Sequence, residues 1–376
     1  MTEMTEMTEA GERTVGSKIT DEGLAELRAT MNVERPLPQY NRVISEDAVA
    51  HYVLGIGDDN PRWLDSAYAA RTRWGGMIAP PTFVMSCGFA RSRGLAGVHG
   101  LFSGIDLHCH QPLKAGSRIV ARTALHDLIE HQGRYAGREF QQVSVTRYRD
   151  GNGELLSTLY SHAFRTERTQ GAKGGKYSSL QRQHYTDEDY ARFEAQHATE
   201  LKARRGSETR YFEDVTVGEP IPMLLKGPLT VTDCIAFLMG FGYIYIKSHR
   251  QWNDFRLRHP GAGIKDNYGV WDIPERVHWE EDLPKEIGMP TAYDYGPQRI
   301  AWFDNAVCDW MSDDGWLRRL QVSLRAPNFI GDCTWIKGNV KSKNEGDNSV
   351  EVELKAEDQR GRVTATGMAE VVLPRR

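Results

Sequence analysis

Apolar and polar positions follow the same order twice along this chain. In the first half, helical spacing over Glu46–Leu54 leads into the polar loop Asp58–Trp63. An apolar helix is predicted from about Pro81 to Arg91, and four strand-like runs follow at Leu101–Pro112, Gly116–Leu128, Phe140–Arg147 and Leu155–Phe164. The second half repeats the order. A helix runs to about Met239, with Thr230 or Thr232 as its cap and Asp233 in its first turn. A central helix is predicted over Gly296–Trp310. Strands are predicted near Arg319–Leu324, Thr334–Lys341, Ser349–Glu357 and Arg362–Leu373. Thr166–Ser179, rich in Gly, Lys and Ser, reads as a linker, and a charged surface helix follows over Asp187–Arg204.

One long helix followed by several antiparallel strands, used twice, predicts an α+β chain built as a double hot dog: two helix-wrapped antiparallel sheets fused in one chain. Pairing the two sheets would hide an edge of each. The expected divisions are a disordered leader at 1–15, an N-terminal hot dog at 16–165, linker and surface helix at 166–207, and a C-terminal hot dog at 208–376. The last of these carries an insertion at 244–275.

Composition narrows the class. The 376 residues suffice for two domains, and 40% hydrophobic with 26% charged residues is ordinary for a globular protein. A net charge of −4 argues against a general nucleic-acid binder. No apolar run reaches the roughly 20 residues a membrane helix needs. The repeated Met-Thr-Glu start has neither a signal-peptide core nor an Arg-rich pattern, so a cytoplasmic location is expected. Five widely spaced cysteines without a C-x-x-C pair read as buried thiols. His108 and His110 share a strand face, yet no third ligand is evident, and no metal is expected.

The loop Gly57-Asp58-Asp59-Asn60-Pro61-Arg62-Trp63 and the following Ile78-Ala79-Pro80-Pro81 resemble the G-D-x-N-P-x-H loop and P-I-A-H-G helix start of the MaoC-like (hydratase 2) hot-dog enzymes. Leu107–Gly116 and Leu324–Asp332 resemble that family's strand and turn, and Gly288–Asp294 resembles a second helix start. His278 stands 12 residues before Pro290, close to the family's separation. The first half is most similar to the N-terminal domain of these dehydratases.

The resemblance implies addition of water to a 2-enoyl thioester, or its removal from a 3-hydroxyacyl thioester. Coenzyme A would be carried by the substrate, and no cofactor is implied. In the family an Asp and a His manage water and proton, while a backbone N–H at the central helix start holds the thioester oxygen. The first half keeps Asp58 and Asn60 but has Trp63 in place of the His. Pro81 has no N–H to donate. Asp58 and Asn60 then either cap a turn or act with another residue.

In the second half His278 is available, and Asp294 would supply the helix-start N–H, with Tyr293 beside it. Met239–Tyr243 aligns with the family's Asp position and places a Phe or Tyr there. Asp254 and Asp272 from the insertion are the candidate carboxylates, and Tyr243 and Trp63 are candidate substrate contacts. Arg276, Lys285, Arg299, Arg318, Arg319 and Arg325 could meet a coenzyme A phosphate or form a solvated surface. The resemblance further implies a homo-oligomer or a hetero-oligomer with another hot-dog protein, in fatty acid or steroid catabolism. The broken motifs keep two alternatives open: a non-catalytic hot-dog partner subunit, and a hot-dog thioesterase.

Overall fold

In a computed structural model the chain forms ten antiparallel strands in one continuous sheet, wrapped around two apolar segments. The structure describes residues 18–90, 92–95, 98–132, 138–167, 177 and 179–376. The leader expected at 1–15 and most of the 168–178 segment lie outside the described residues.

The strands of the sheet are Arg35–Pro36 (β1), His99–Cys109 (β2), Ile119–Gln132 (β3), Arg138–Asp150 (β4), Leu155–Thr166 (β5), Leu224–Lys226 (β6), Trp316–Leu324 (β7), Thr334–Asn344 (β8), Ser349–Asp358 (β9) and Val363–Val372 (β10). Their order across the sheet is β1-β3-β4-β5-β2-β7-β10-β9-β8-β6. The two halves therefore join at β2 and β7, which pair antiparallel from Arg319 opposite His108 to Ser323 opposite Gly104. Each half covers one long edge of the other, so neither inner edge strand stays open. This is the double hot dog.

The main helices are Glu46–Ile56 (α1), Asp187–Ala203 (α2), Val231–Phe241 (α3), His249–Arg258 (α4) and Gly296–Met311 (α5). Helix α5 is the central segment of the second half, and its residues from Pro297 to Met311 are buried. The first half's counterpart is shorter than the helix expected to Arg91. It is a 3-10 segment, Pro81–Cys87, buried throughout. Gly88 ends it at φ 135°, a conformation that only glycine takes readily.

Helices α1 and α3 occupy equivalent places in the two halves and pack on each other. Ser45 caps α1 by accepting from Ala48 N–H, and Thr230 caps α3 in a reciprocal capping box with Asp233. The helices cross at glycine. A Cβ on Gly240 would lie 2.2 Å from the His51 carbonyl oxygen, and one on Gly55 would lie 2.6 Å from that of Ala236. Both helices end on a left-handed glycine, Gly57 and Gly242. The residue after that glycine is Asp58 in the first half and Tyr243 in the second. Tyr243 thus stands where the first half keeps its carboxylate.

Candidate active site

The first-half loop forms a buried polar network. Asp58, 2% exposed, accepts from the backbone N–H of Asn60 (3.0 Å) and from the indole Nε1–H of Trp63 (2.9 Å). The Asn60 side-chain oxygen caps the next turn at Arg62 N–H. Its amide nitrogen donates to Asp309 on α5, which also accepts from Arg204 Nε (2.8 Å). Lys226 closes the network, donating to Ile56 O, Gly57 O and Asn305 Oδ1. Burial raises the Asp58 carboxyl above its usual range, partly offset by these donors. Burial and then the neighbouring Asp58 raise Asp309 to about 6.

This half has no room for a substrate at Trp63. The cavity against that indole is about 10 Å³, space for at most one water. Its helix-start amide is also occupied: Thr82 N–H and Oγ1–H both donate to the buried Asp304 carboxylate, at 2.8 and 2.6 Å. Trp63 therefore packs inside the first half, apart from the large cavity of the chain.

That large cavity, about 610 Å³, opens between the halves. Its walls include Phe89, Phe102, Phe241, Tyr243, Tyr293 and Tyr295, together with Glu275, His278 and Gly296. The insertion supplies one side. After α4 and a short ribbon, Ile264–Lys265 with Trp271–Asp272, the chain enters the 3-10 turn Pro274–His278. A 3-10 helix has three residues per turn, so residues i and i+3 eclipse. Glu275 and His278 are three apart and line the same cavity.

His278 Nδ1 lies 2.7 Å from the Tyr293 carbonyl oxygen. A carbonyl only accepts, so Nδ1 carries the proton and Nε2 carries the lone pair. Burial lowers the imidazole to about 4, which keeps it neutral at pH 7. The Tyr295 ring is tilted against it at 3.7 Å between centroids. The Tyr295 phenol is raised by burial and then by Glu275, and so stays protonated.

The structure departs from the sequence-based site in two ways. First, the carboxylates of Asp254 and Asp272 are engaged outside this cavity wall. Asp254 pairs with Arg250, while Asp272 accepts from Ile273 N–H and approaches Arg276 at 4.0 Å. The cavity carboxylate from the insertion is Glu275, signalled in the sequence only by Pro274, which opens the turn. Second, Asp294 has no spare N–H, since it donates to Asn328 O at 2.9 Å. Its carboxylate is held by Arg299 Nε at 2.7 Å, by Arg299 Nη2, and by Asn328 N–H. Helix α5 begins at Gly296, as expected, so Asp294 lies two residues before it. The first N–H groups of a helix have no intrahelical acceptor, and they lie at the positive end of its dipole. Gly296 lines the cavity at that end.

Five of the six basic residues noted in this half are tied to carboxylates. Arg276 pairs with Glu280, Lys285 with Glu281, Arg299 with Asp294, Arg318 with Asp347 and Glu370, and Arg319 with Asp106. Arg325 is exposed and lines the cavity.

Comparison with known proteins agrees with this architecture. Residues 34–159 match the family model for the FAS1-like dehydratase domain region. A solved MaoC-like dehydratase is similar over 92% of this chain and 99% of its own, with a TM-score of 0.63 at 17% identity. A MaoC domain protein dehydratase from Chloroflexus aurantiacus J-10-fl covers 92% and 96%, with a TM-score of 0.57 at 12% identity. A conserved hypothetical protein from Mycobacterium tuberculosis, described as a double hot dog, covers 91% and 96%, with a TM-score of 0.54 at 14% identity. No curated protein matches the chain. Residues 34–159 of the N-terminal hot dog are thus similar to the FAS1-like dehydratase domain region, and the whole chain has the double hot-dog fold seen in solved MaoC-like dehydratases.

Proposed function

We propose that this protein is a hydratase or dehydratase of coenzyme A thioesters, with its chemistry in the C-terminal half. The observation that carries this reading is that Glu275 and His278, three residues apart on one 3-10 turn, line the same cavity as Gly296 at the start of the buried central helix. Water addition across a 2-enoyl thioester needs a base, a proton donor and an oxyanion contact. His278 Nε2 takes a proton from water as the water oxygen bonds to C3. Glu275 delivers a proton to C2. The Gly296 N–H and the helix dipole hold the charge that develops on the thioester oxygen. Water then carries the proton from His278 back to Glu275. Dehydration runs the same steps in reverse. Arg325 is the cation nearest in kind to a coenzyme A phosphate at the cavity edge.

The first half serves as wall and scaffold. Its Asp58 and Asn60 hold the loop and α5 together, the capping role open to them from sequence. The assay is direct: the purified chain is mixed with a series of 2-enoyl-CoA esters, and loss of enoyl absorbance and release of free thiol are followed together. Hydration without thiol release supports the proposal. Thiol release makes the protein a thioesterase instead. Turnover only after adding a second hot-dog protein makes it a partner subunit.

A further inference from the structure

We propose that Tyr295 is a positioning residue for the proton transfer, its ring face stabilising the imidazolium that forms when His278 takes a proton from water. This rests on the hydratase reading above.

That step creates a cation inside the protein. Burial holds the His278 imidazole down to about 4, while its bond to the Tyr293 carbonyl works the other way. A base that resists its proton so strongly needs contacts that favour the charged form. Glu275 brings no negative charge to the start of the step, because as the proton donor it is neutral until it delivers to C2. The carboxylate of Asp294, which also lines the cavity, is already paired with Arg299. The Tyr293 carbonyl oxygen, 2.7 Å from Nδ1, is one favourable contact.

The Tyr295 ring is the second. Its centroid lies 3.7 Å from that of the imidazole, with 31° between the planes. Rings that close and that nearly parallel overlap face against face. The Tyr293 ring, at 4.8 Å and 73°, does not. The face of an aromatic ring carries the negative lobe of its quadrupole and attracts a cation within about 6 Å, the more so where water is excluded. Neutral His278 gains little from that field, and protonated His278 gains most. The contact therefore strengthens as the proton arrives, which is the property that speeds a chemical step.

The fold keeps the ring in place. Tyr295 is buried and immediately precedes α5. It also packs on Phe237 of α3, 5.5 Å between centroids. Its backbone N–H donates to Gln298 Oε1 (3.4 Å), and the Gln298 amide nitrogen donates to Asp233 O on α3 (3.2 Å). Helices α3 and α5 thus hold the ring against the turn that carries His278. Among the described residues the phenol oxygen has no hydrogen-bond partner, so the ring rather than the hydroxyl makes the contact.

The test changes the electron density of the ring and leaves its shape. Tyr295→Phe is the reference, and phenylalanine analogues with one, two and three ring fluorines follow at the same position. Fluorine drains the ring face and adds little volume, so a ring that only fills space gives one rate throughout. For enoyl-CoA hydration, kcat is expected to fall with each fluorine, roughly three- to tenfold in all, with KM constant within about twofold. Tyr295→Leu removes the face and should lose at least as much in kcat wherever the variant folds. A flat series overturns the proposal, since the ring is then only packing. A loss carried by KM also overturns it, since the ring is then a substrate contact. A folded but inactive Tyr295→Phe overturns it too, by assigning the work to the hydroxyl. In each of these cases an activity that still depends on His278 leaves the hydratase reading standing. A wild-type chain that hydrates no enoyl-CoA removes both readings together.

Discussion

Trp63 donates its indole N–H to Asp58 across 2.9 Å, and both side chains are buried. The bond gives the carboxylate of this loop a buried partner from within the loop itself. Asp58 also accepts the Asn60 amide, and Lys226 and Arg204 lie near enough to offset its charge. The loop that looks most like an active site is therefore a structural joint.

Trp63→Phe keeps an aromatic ring and removes the donor to a buried carboxylate. Leaving such a group short of a partner costs about 1–3 kcal/mol. Chemical denaturation should show a loss in that range, while turnover of the folded variant stays within about twofold. Trp63→His restores the family motif but should not create a second active site, because Pro81 lacks an N–H and Thr82 is bonded to Asp304.

The contact between α1 and α3 gives a second prediction. A Cβ on Gly240 would fall 2.2 Å from the His51 carbonyl oxygen, far inside contact distance, and the neighbour is backbone. Gly240→Ala should force the helices apart and cost about 1–3 kcal/mol or more, as overpacking does. A fall in thermal midpoint of several degrees would show it. Gly361→Ala changes a glycine with no atom within 4 Å of the added carbon, so steric clash contributes nothing there. What remains is the strain of its φ of 72°.

Asp309 links the first-half loop to α5, and its raised value predicts a pH effect. Its folded value of about 6 lies above the ordinary carboxylate value of 3.8. The folded chain thus holds a proton that the unfolded chain has released between about pH 4 and 6. Its contribution to stability is complete below pH 4 and lost as pH rises through 6, by up to about 3 kcal/mol. Asp309→Asn cannot ionise. The stability difference between wild type and this variant, measured by denaturation from pH 4 to 7, should move against the wild type as pH rises. No change across that window would show that Asp309 titrates normally. His278 has the opposite sign. Its value is lowered to about 4, so its share of stability is present above about 6.5 and lost as pH falls toward 4.

Much of the fold was legible in the sequence because its determinants are local. Strand-like runs marked the long strands, and Thr230 with Asp233 announced the start of α3. The first central helix was overestimated, since nothing in the apolar run Thr82–Ala90 signals the φ of 135° at Gly88. The site was harder to read, because it is assembled across the chain. His278 was visible from its spacing to Pro290. Glu275 was not, since its place depends on a 3-10 turn that eclipses it with His278. Asp294 resembled a helix start, but the bonds from Arg299 and Asn328 that consume it come from residues 5 and 34 positions away.

The central claim is that the C-terminal half performs water addition through His278 and Glu275. The most direct measurement is kcat/KM for enoyl-CoA hydration by wild type, His278→Ala, Glu275→Gln and Asp58→Asn, each checked for native circular dichroism. Positioned acid and base groups contribute typically 10²–10⁴-fold. The account predicts losses of that order for His278→Ala and Glu275→Gln, and a folded Asp58→Asn that keeps most of its activity. Hydration that survives His278→Ala, or that disappears with Asp58→Asn in a folded protein, would contradict it.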